Sequence, residues 1–331
     1  MIYVSDIKYD LMALLPDGGR IHLQEALRGL SWEEQPGELA VRLQARIQNQ
    51  SLGNGWLHQK LPLGGRTLLH AAWGEGFREI HQGVIFGWDY QKDPLGWFSV
   101  TAYDHLIYLM KSKDDRFYPN GTQARVIIED ISKAWGIPLG TVEGPDVALA
   151  KQTFRGKTLA DMMLSVLDQA QKRGGGKFII RSSGGKIDVV RTGRNSTIYH
   201  FGQEDNVQTM SDQQDIEDLI TRVKIIGAED TEGRSPVIST LDGRTEFGVL
   251  QDIVYLEQYD TEAAAKKAAQ EILDERGKPR KRRKVVAPDL PFIRRGDKVS
   301  INAGTLSGYF IVSGIQHDAD TRTMTMEVED A

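Results

Sequence analysis

Apolar and polar positions alternate most regularly at the end of the chain. In 323–329, Met324, Met326 and Val328 alternate with Thr323, Thr325, Glu327 and Glu329. A period of two marks a strand with one face in a core and the other in water. The same reading makes 220–226, 249–256, 298–302 and 306–316 strands. Asp318-Ala319-Asp320-Thr321 is turn chemistry, which predicts a hairpin between 306–316 and 322–329. One helix, 261–276, interrupts the series, capped by Asp260 or Thr261 and ended by Gly277. Its apolar face (Ala264, Ala265, Ala268, Ala269, Ile272, Leu273) is thin, so it can lie close to a neighbour but buries little area. A sheet interrupted by a helix and closed by a final hairpin suggests a compact β-barrel.

The first 103 residues also read as strands. Apolar and polar residues alternate through 39–47, broken by Ser51-Leu52-Gly53-Asn54-Gly55; 77–90 and 96–102 follow, with a turn at 92–96. Short strands with Gly and Pro punctuation suggest a barrel or sandwich. Trp32, Trp56, Trp73, Trp88 and Trp97 all fall here. They are read as core area, with a stacking platform for sugars or bases as the alternative.

At Asp104 the period changes. Asp104 can cap a short helix over 105–113. A second helix starts at a Thr122 cap, carries Ile127, Ile128, Ile131, Ala134 and Trp135, and stops at Gly136. A third carries Leu159, Met162, Met163, Val166, Leu167 and Ala170, with Thr158 and Asp161 resembling a capping box. A hairpin follows, 177–181 and 186–191, joined by Ser182-Ser183-Gly184-Gly185. The expected division is a first β-barrel over 1–103, an α/β middle domain over 104–200, and a second barrel over 201–331 with the helix 261–277 inserted. The class is α+β, mostly β.

Composition narrows the function. The chain has 331 residues, net charge −5 and no cysteine, which excludes disulfides and thiolate metal sites and suits a reducing cytoplasm. No apolar run reaches the ~18–20 residues that span a bilayer. Met1 to Asp6 has neither the basic nor the apolar part of a secretory signal.

Candidate chemistry is sparse. Gly156-Lys157-Thr158 opens the best helix as a phosphate loop would, but position 151 is Lys where that motif needs Gly, and 146–152 is no apolar strand. Asp318-Ala319-Asp320 starts like a calcium loop, but its sixth position is Thr323. His22, His58, His70, His81, His105, His200 and His317 form no metal-ligand pair. Ser307 sits outside a nucleophile elbow. Glu33-Glu34 and Asp114-Asp115 are adjacent carboxylates whose alternate directions suit solvent better than a glycosidase pair. No catalytic, cofactor-binding or metal residue is assigned. Lys278-Pro279-Arg280-Lys281-Arg282-Arg283-Lys284 is the one dense basic run, read as a solvated link or a patch meeting an acidic neighbour.

The order of segments resembles the XkdQ-type tail-hub proteins of PBSX-like defective prophages. These belong with the late-control D-like baseplate hubs of contractile phages and R-type bacteriocins. The resemblance rests on Phe154-Arg155-Gly156-Lys157-Thr158-Leu159 and its helix, the hairpin at Phe178, Asp215 to Val223, and Glu246 to Gln251. Arg295-Gly296-Asp297-Lys298-Val299 leading to Gly308-Tyr309-Phe310-Ile311-Val312 completes it. It covers essentially the whole chain and implies two tail-tube-like barrels, a homotrimer and no catalysis. It also implies contacts with the tail tube protein, the central spike protein and other baseplate proteins. Assembly would take place in the bacterial host cytoplasm and the product would sit in the released baseplate. The rival readings are a tail-associated cell-wall hydrolase and a nucleic-acid-binding protein using 278–284.

Overall fold

The computed structural model describes residues 6–53, 55–74, 76–91, 96–229, 232–259 and 261–331. The turn expected at 92–96 falls almost wholly outside them, as do Asn54, Asp260 and the first five residues. Two compact units are present: Met1–Met210 with Lys284–Ala331, and Ser211–Arg283.

Among the described residues the largest sheet has thirteen strands, most of them in the first unit. Alternation supplies its strands as expected. Thr323–Asp330 buries Met324, Met326 and Val328, and pairs antiparallel with Leu306–Asp318. Between these strands the Asp318 carboxylate accepts from the amides of Asp320 and Thr321, both at 2.9 Å, and Arg322 takes a positive φ of 54°. Leu306–Asp318 then pairs with Leu27–Glu34 in the register Ile315↔Glu34 and His317↔Trp32. The sequence placed the two β-rich regions in separate barrels. The pairing instead joins them edge to edge in one sheet, and among the described residues it closes neither half into a ring. Each half keeps its own core. Leu11, Leu43, Leu69, Ile85, Phe98 and Val100 fill the first. Phe201, Val285, Ile301, Val312, Met324 and Met326 fill the second.

A third core in the same unit belongs to the α/β segment. Helices Leu106–Lys111, Ala124–Ala134 and Leu159–Lys172 pack with the hairpin Phe178–Ser183 and Lys186–Arg191. The Leu159–Lys172 helix buries Leu159, Met162, Met163, Val166 and Ala170 at the expected spacing, and the Thr158 hydroxyl accepts from the Asp161 amide at 3.0 Å. The hairpin turns through Gly184 and Gly185, at φ 58° and 70°, where side chains with a Cβ would be strained. Three expectations need correction. The first helix is short, and Lys113–Tyr118 after it is a strand paired with a second unforeseen strand, Gln152–Thr158. Gln123, not Thr122, precedes the second helix, and the Thr122 hydroxyl donates to the Pro119 carbonyl instead. The basic run is no loose link, because Arg280–Pro288 is a strand paired with Thr323–Asp330.

The second unit has a three-stranded sheet, Arg222–Ile226 between Val237–Asp242 and Gln251–Tyr255, covered by helix Glu262–Arg276. The strands expected at 220–226 and 249–256 are here, beside the helix rather than in the large sheet. The thin face explains the arrangement: Ala265 and Ala269, four apart, are fully buried against Val223, Ile225 and Val254. The Thr261 hydroxyl caps the helix by accepting from the Ala264 amide at 3.1 Å.

Candidate functional site

The densest chemistry lies where the two halves of the large sheet meet the α/β hairpin. Leu27–Glu34 brings Glu33 and Glu34 from the first half. The loop before Lys298–Ala303 brings Arg294, Arg295 and Asp297 from the second. The hairpin brings Arg181 and the Ser182 carbonyl. Glu34 is 6% exposed and accepts from Arg294 Nε at 2.9 Å and Nη2 at 3.2 Å. Arg294 Nη1 donates to the Ser182 carbonyl at 2.7 Å, and its amide to Asp297 Oδ2 at 3.0 Å. Arg181 Nη1 donates to Asp297 Oδ1 at 3.2 Å. Burial alone would push the Glu34 carboxyl up; the Arg294 charge and hydrogen bonds, with Arg295 and Arg181 behind them, hold it below the usual range. Glu33 is 8% exposed and paired with Arg42. Solvent was the expected place for both carboxylates. They alternate in direction as expected, but each is buried and paired with an arginine.

Beside this clamp is a cavity of about 210 Å³, lined among others by Glu34, His81, Asp104, Ser182, Arg294 and His317. Asp104 is buried, and its carboxylate accepts from the amides of Leu106 at 3.0 Å and Val41 at 3.2 Å. It therefore ties the start of the first helix to the sheet, although His105 and not Asp104 stands at the cap position. Burial raises its carboxyl to about 7. His81 is buried with neither ring nitrogen in a hydrogen bond, and burial lowers it to about 4.

A second buried chain runs through His317. Its Nδ1 lies 2.6 Å from Asp289 Oδ1, and the Tyr9 hydroxyl donates to the other Asp289 oxygen. Trp32 stacks on the His317 ring at 4.7 Å and 9°. An acid–histidine pair is the back half of a hydrolase triad. Here the histidine is 1% exposed and stacked under Trp32, and Asp289 is fully buried. Tyr9, Asp289 and His317 lie hundreds of positions apart in part, and no local pattern announces them.

The remaining expected residues scatter. His22 meets Asp10 at 3.0 Å, His58 meets Asn49 at 3.1 Å and His200 meets Ser300 at 3.1 Å. Among the described residues no group of three or more His, Asp or Glu is placed to hold a metal ion. Asp114 pairs with Arg116 at 2.8 Å. The Asp115 carboxylate accepts from the Gly156 amide at 2.6 Å, which sets a negative charge where a phosphate loop would bind one. Ser307 lies on an exposed strand position. Of the five early tryptophans, only Trp32 is fully buried. Trp56 is 50% and Trp88 38% exposed, which corrects the core reading for these two. Trp88 lies parallel to Tyr90, with centroids 6.1 Å apart, and Trp97 lies under Arg46 at 4.8 Å. In the basic run, Arg280 faces Asp218 at 3.5 Å, Arg283 faces Asp212 at 3.4 Å and Lys284 faces Glu327 at 2.8 Å.

At this site Glu34, Asp297 and Asp289 are paired with Arg294, Arg181 and His317. Residues 38–329 match the YQBQ-like family model. The chain belongs to the YQBQ-like family. It is 24% identical over 269 residues to the uncharacterized protein YqbQ of Bacillus subtilis (strain 168), over 76% of this chain and 78% of that one. Its fold is similar to that of the 43 kDa tail protein of prophage MuSo2 from Shewanella oneidensis, with TM-score 0.70, 13% identity and 98% of each chain covered. It is also similar to the c3393 protein of E. coli, a type VI secretion system component with structural similarity to the T4 bacteriophage tail proteins gp27 and gp5. That match has TM-score 0.54 and 10% identity, over 92% of this chain and 74% of that one. The expected kinship with phage tail proteins therefore holds at the level of the fold. No described helix is long and apolar enough to cross a membrane.

Proposed function

We propose that the protein is a structural component of a phage tail or tail-like particle, and within it an XkdQ-like baseplate hub. Three copies would join the sixfold tail tube to the threefold central spike, in contact with other baseplate proteins. The observation that carries this reading is the fold shared with a prophage tail protein over 98% of both chains. Two separately cored β halves in each copy would give six similar faces in a trimer, which suits a pseudo-sixfold seat for a tube. The reading assigns no catalysis; Glu34 with Arg294 and Asp289 with His317 are paired with each other. Assembly in the host cytoplasm and residence in the released baseplate follow from the same reading.

Light scattering across a concentration series tests it, alone and with purified tube and spike proteins. The expected result is a species of three chains that takes up both. A chain that stays monomeric and binds neither tube nor spike would overturn the hub assignment.

A further inference from the structure

The chain has six asparagines, and two of them precede a glycine: Asn54 and Asn120. Asn54 lies outside the described residues. An Asn-Gly step is chemically labile. With no Cβ on the glycine, its backbone nitrogen is unshielded and can reach the asparagine side-chain amide. Asn120-Gly121 stands in an exposed turn ahead of helix Ala124–Ala134, with Gly121 at φ 91°. Among the described residues nothing hydrogen-bonds the Asn120 side chain. Other asparagines are held. The Asn195 side chain accepts from the Lys298 amide at 2.6 Å and donates to the Thr197 carbonyl at 2.7 Å. The Asn206 side chain accepts from the Gly202 amide at 3.0 Å and donates to the His200 carbonyl at 3.1 Å. Asn302 sits within the strand Lys298–Ala303.

The attacking nitrogen is engaged in the fold. The Gly121 amide donates to the Leu149 carbonyl at 2.8 Å. Leu149 is 1% exposed in the core of the α/β segment, and its own amide donates to the Thr122 carbonyl at 2.9 Å. The Ala124 amide follows, donating to the Val147 carbonyl at 2.9 Å. The turn is therefore the exposed end of a short ladder that fixes the start of the helix. To react, the Gly121 nitrogen must give up its proton and leave Leu149, so the reaction waits for that end of the ladder to open.

We infer that Asn120 is a site of spontaneous deamidation in the folded protein, gated by the hydrogen bond from Gly121 to Leu149. The Gly121 nitrogen loses its proton to solvent base and bonds to the Asn120 Cγ. The Cγ–Nδ2 bond breaks, and Nδ2 takes up a proton and leaves as ammonia. Water then opens the cyclic imide at one carbonyl or the other. One opening gives aspartate, which keeps the backbone and adds a negative charge. The other gives isoaspartate, which runs the backbone through the side chain and lengthens it by a methylene just before Gly121. Only the second product moves Gly121 out of register with Leu149, so only it loosens the entry to the helix.

The full chain is incubated in mildly alkaline buffer, folded in one sample and unfolded in urea in the other. Digests taken over time are read by mass spectrometry, which separates Asn120 from Asn54, and an isoaspartyl methyltransferase marks the isoaspartate. The expected result is conversion at Asn120 in both samples, about two- to tenfold slower in the folded one, the factor that one net hydrogen bond represents. Asn195 and Asn206 should stay intact in the folded chain over the same period. Asn120→Gln, whose longer side chain closes a ring far more slowly, should lose the signal at this site. Hydrogen exchange reads the consequence. Folded chain carrying isoaspartate should exchange the Gly121 and Ala124 amides about tenfold faster than fresh protein, and Asn120→Asp should exchange them at the fresh rate. Equal conversion rates in the two samples would overturn the gate. Folded Asn120 left intact after about ten half-lives of the unfolded chain would overturn the site. Isoaspartate that leaves the Gly121 and Ala124 amides as protected as in fresh protein would overturn the assigned consequence.

Discussion

At the scale of single residues, the molecule is held by buried charges whose partners lie far away in sequence. Glu34 and Arg294 are separated by 260 positions. Breaking one side of such a pair leaves the other charge buried, so Glu34→Gln is expected to destabilise the first unit by about 3–5 kcal/mol. Replacing both, Glu34→Leu with Arg294→Met, should recover much of the loss; a double-mutant cycle in urea measures the coupling. Asp104 and His81 give the pH dependence. The Asp104 carboxyl sits at about 7 in the fold against 3.8 for the free group, so the folded state binds the extra proton. Its contribution improves as pH falls from 7 towards 4. His81 sits at about 4 against 6.5, so the unfolded state binds the extra proton and stability is lost as pH falls over nearly the same range. The two slopes oppose, and the wild-type contribution from this cavity is expected to be nearly flat between pH 4 and 6.5. His81→Leu removes one slope. Its stability relative to wild type should rise by about 1 kcal/mol per pH unit on going from 6.5 to 4, read by chemical unfolding at each pH. A parallel pair of pH curves would remove this account.

At the scale of elements, period and caps carried the sequence reading a long way. The final hairpin, the Leu159–Lys172 helix with its Thr158 cap, the Gly184-Gly185 turn and the Thr261 cap were all legible. Each depends on residues within a few positions of one another. Strands with little core were not. Lys113–Tyr118 buries only Tyr118, so no alternation marks it. Arg280–Pro288 starts as charge on both faces, and its core face begins only at Val285. The Ala face of Glu262–Arg276 reads correctly as a close contact, and it gives a sharp test. Ala269→Leu should overpack the second unit and cost about 1–3 kcal/mol. Hydrogen exchange should show the loss in Arg222–Ile226 and Gln251–Tyr255 and leave the large sheet protected.

At the scale of the whole molecule, the basic run 278–284 illustrates how context decides meaning. As a loose tail it would attract polyanions. As part of a strand, with Arg280, Arg283 and Lys284 opposite Asp218, Asp212 and Glu327, much of its charge is spent locally. Full-length protein is expected to leave a DNA duplex unshifted at low salt, and Arg280→Ala with Arg282→Ala to change nothing in that gel. A shift that weakens with salt would restore the nucleic-acid reading. What the sequence by itself determined was local: which stretches alternate, where helices start and stop, and that no ligand set or membrane span is written in short motifs. The order of those stretches was also enough to point to tail proteins. Only the tertiary structure decided that Leu306–Asp318 pairs with Leu27–Glu34, making one sheet of two β-rich regions. It likewise decided that Glu34 faces Arg294 while Arg295 donates to the Gln35 and Ile180 carbonyls. Strand edges and long-range ion pairs are chosen by which surfaces meet after collapse, and the chain between them carries no periodic trace of that choice.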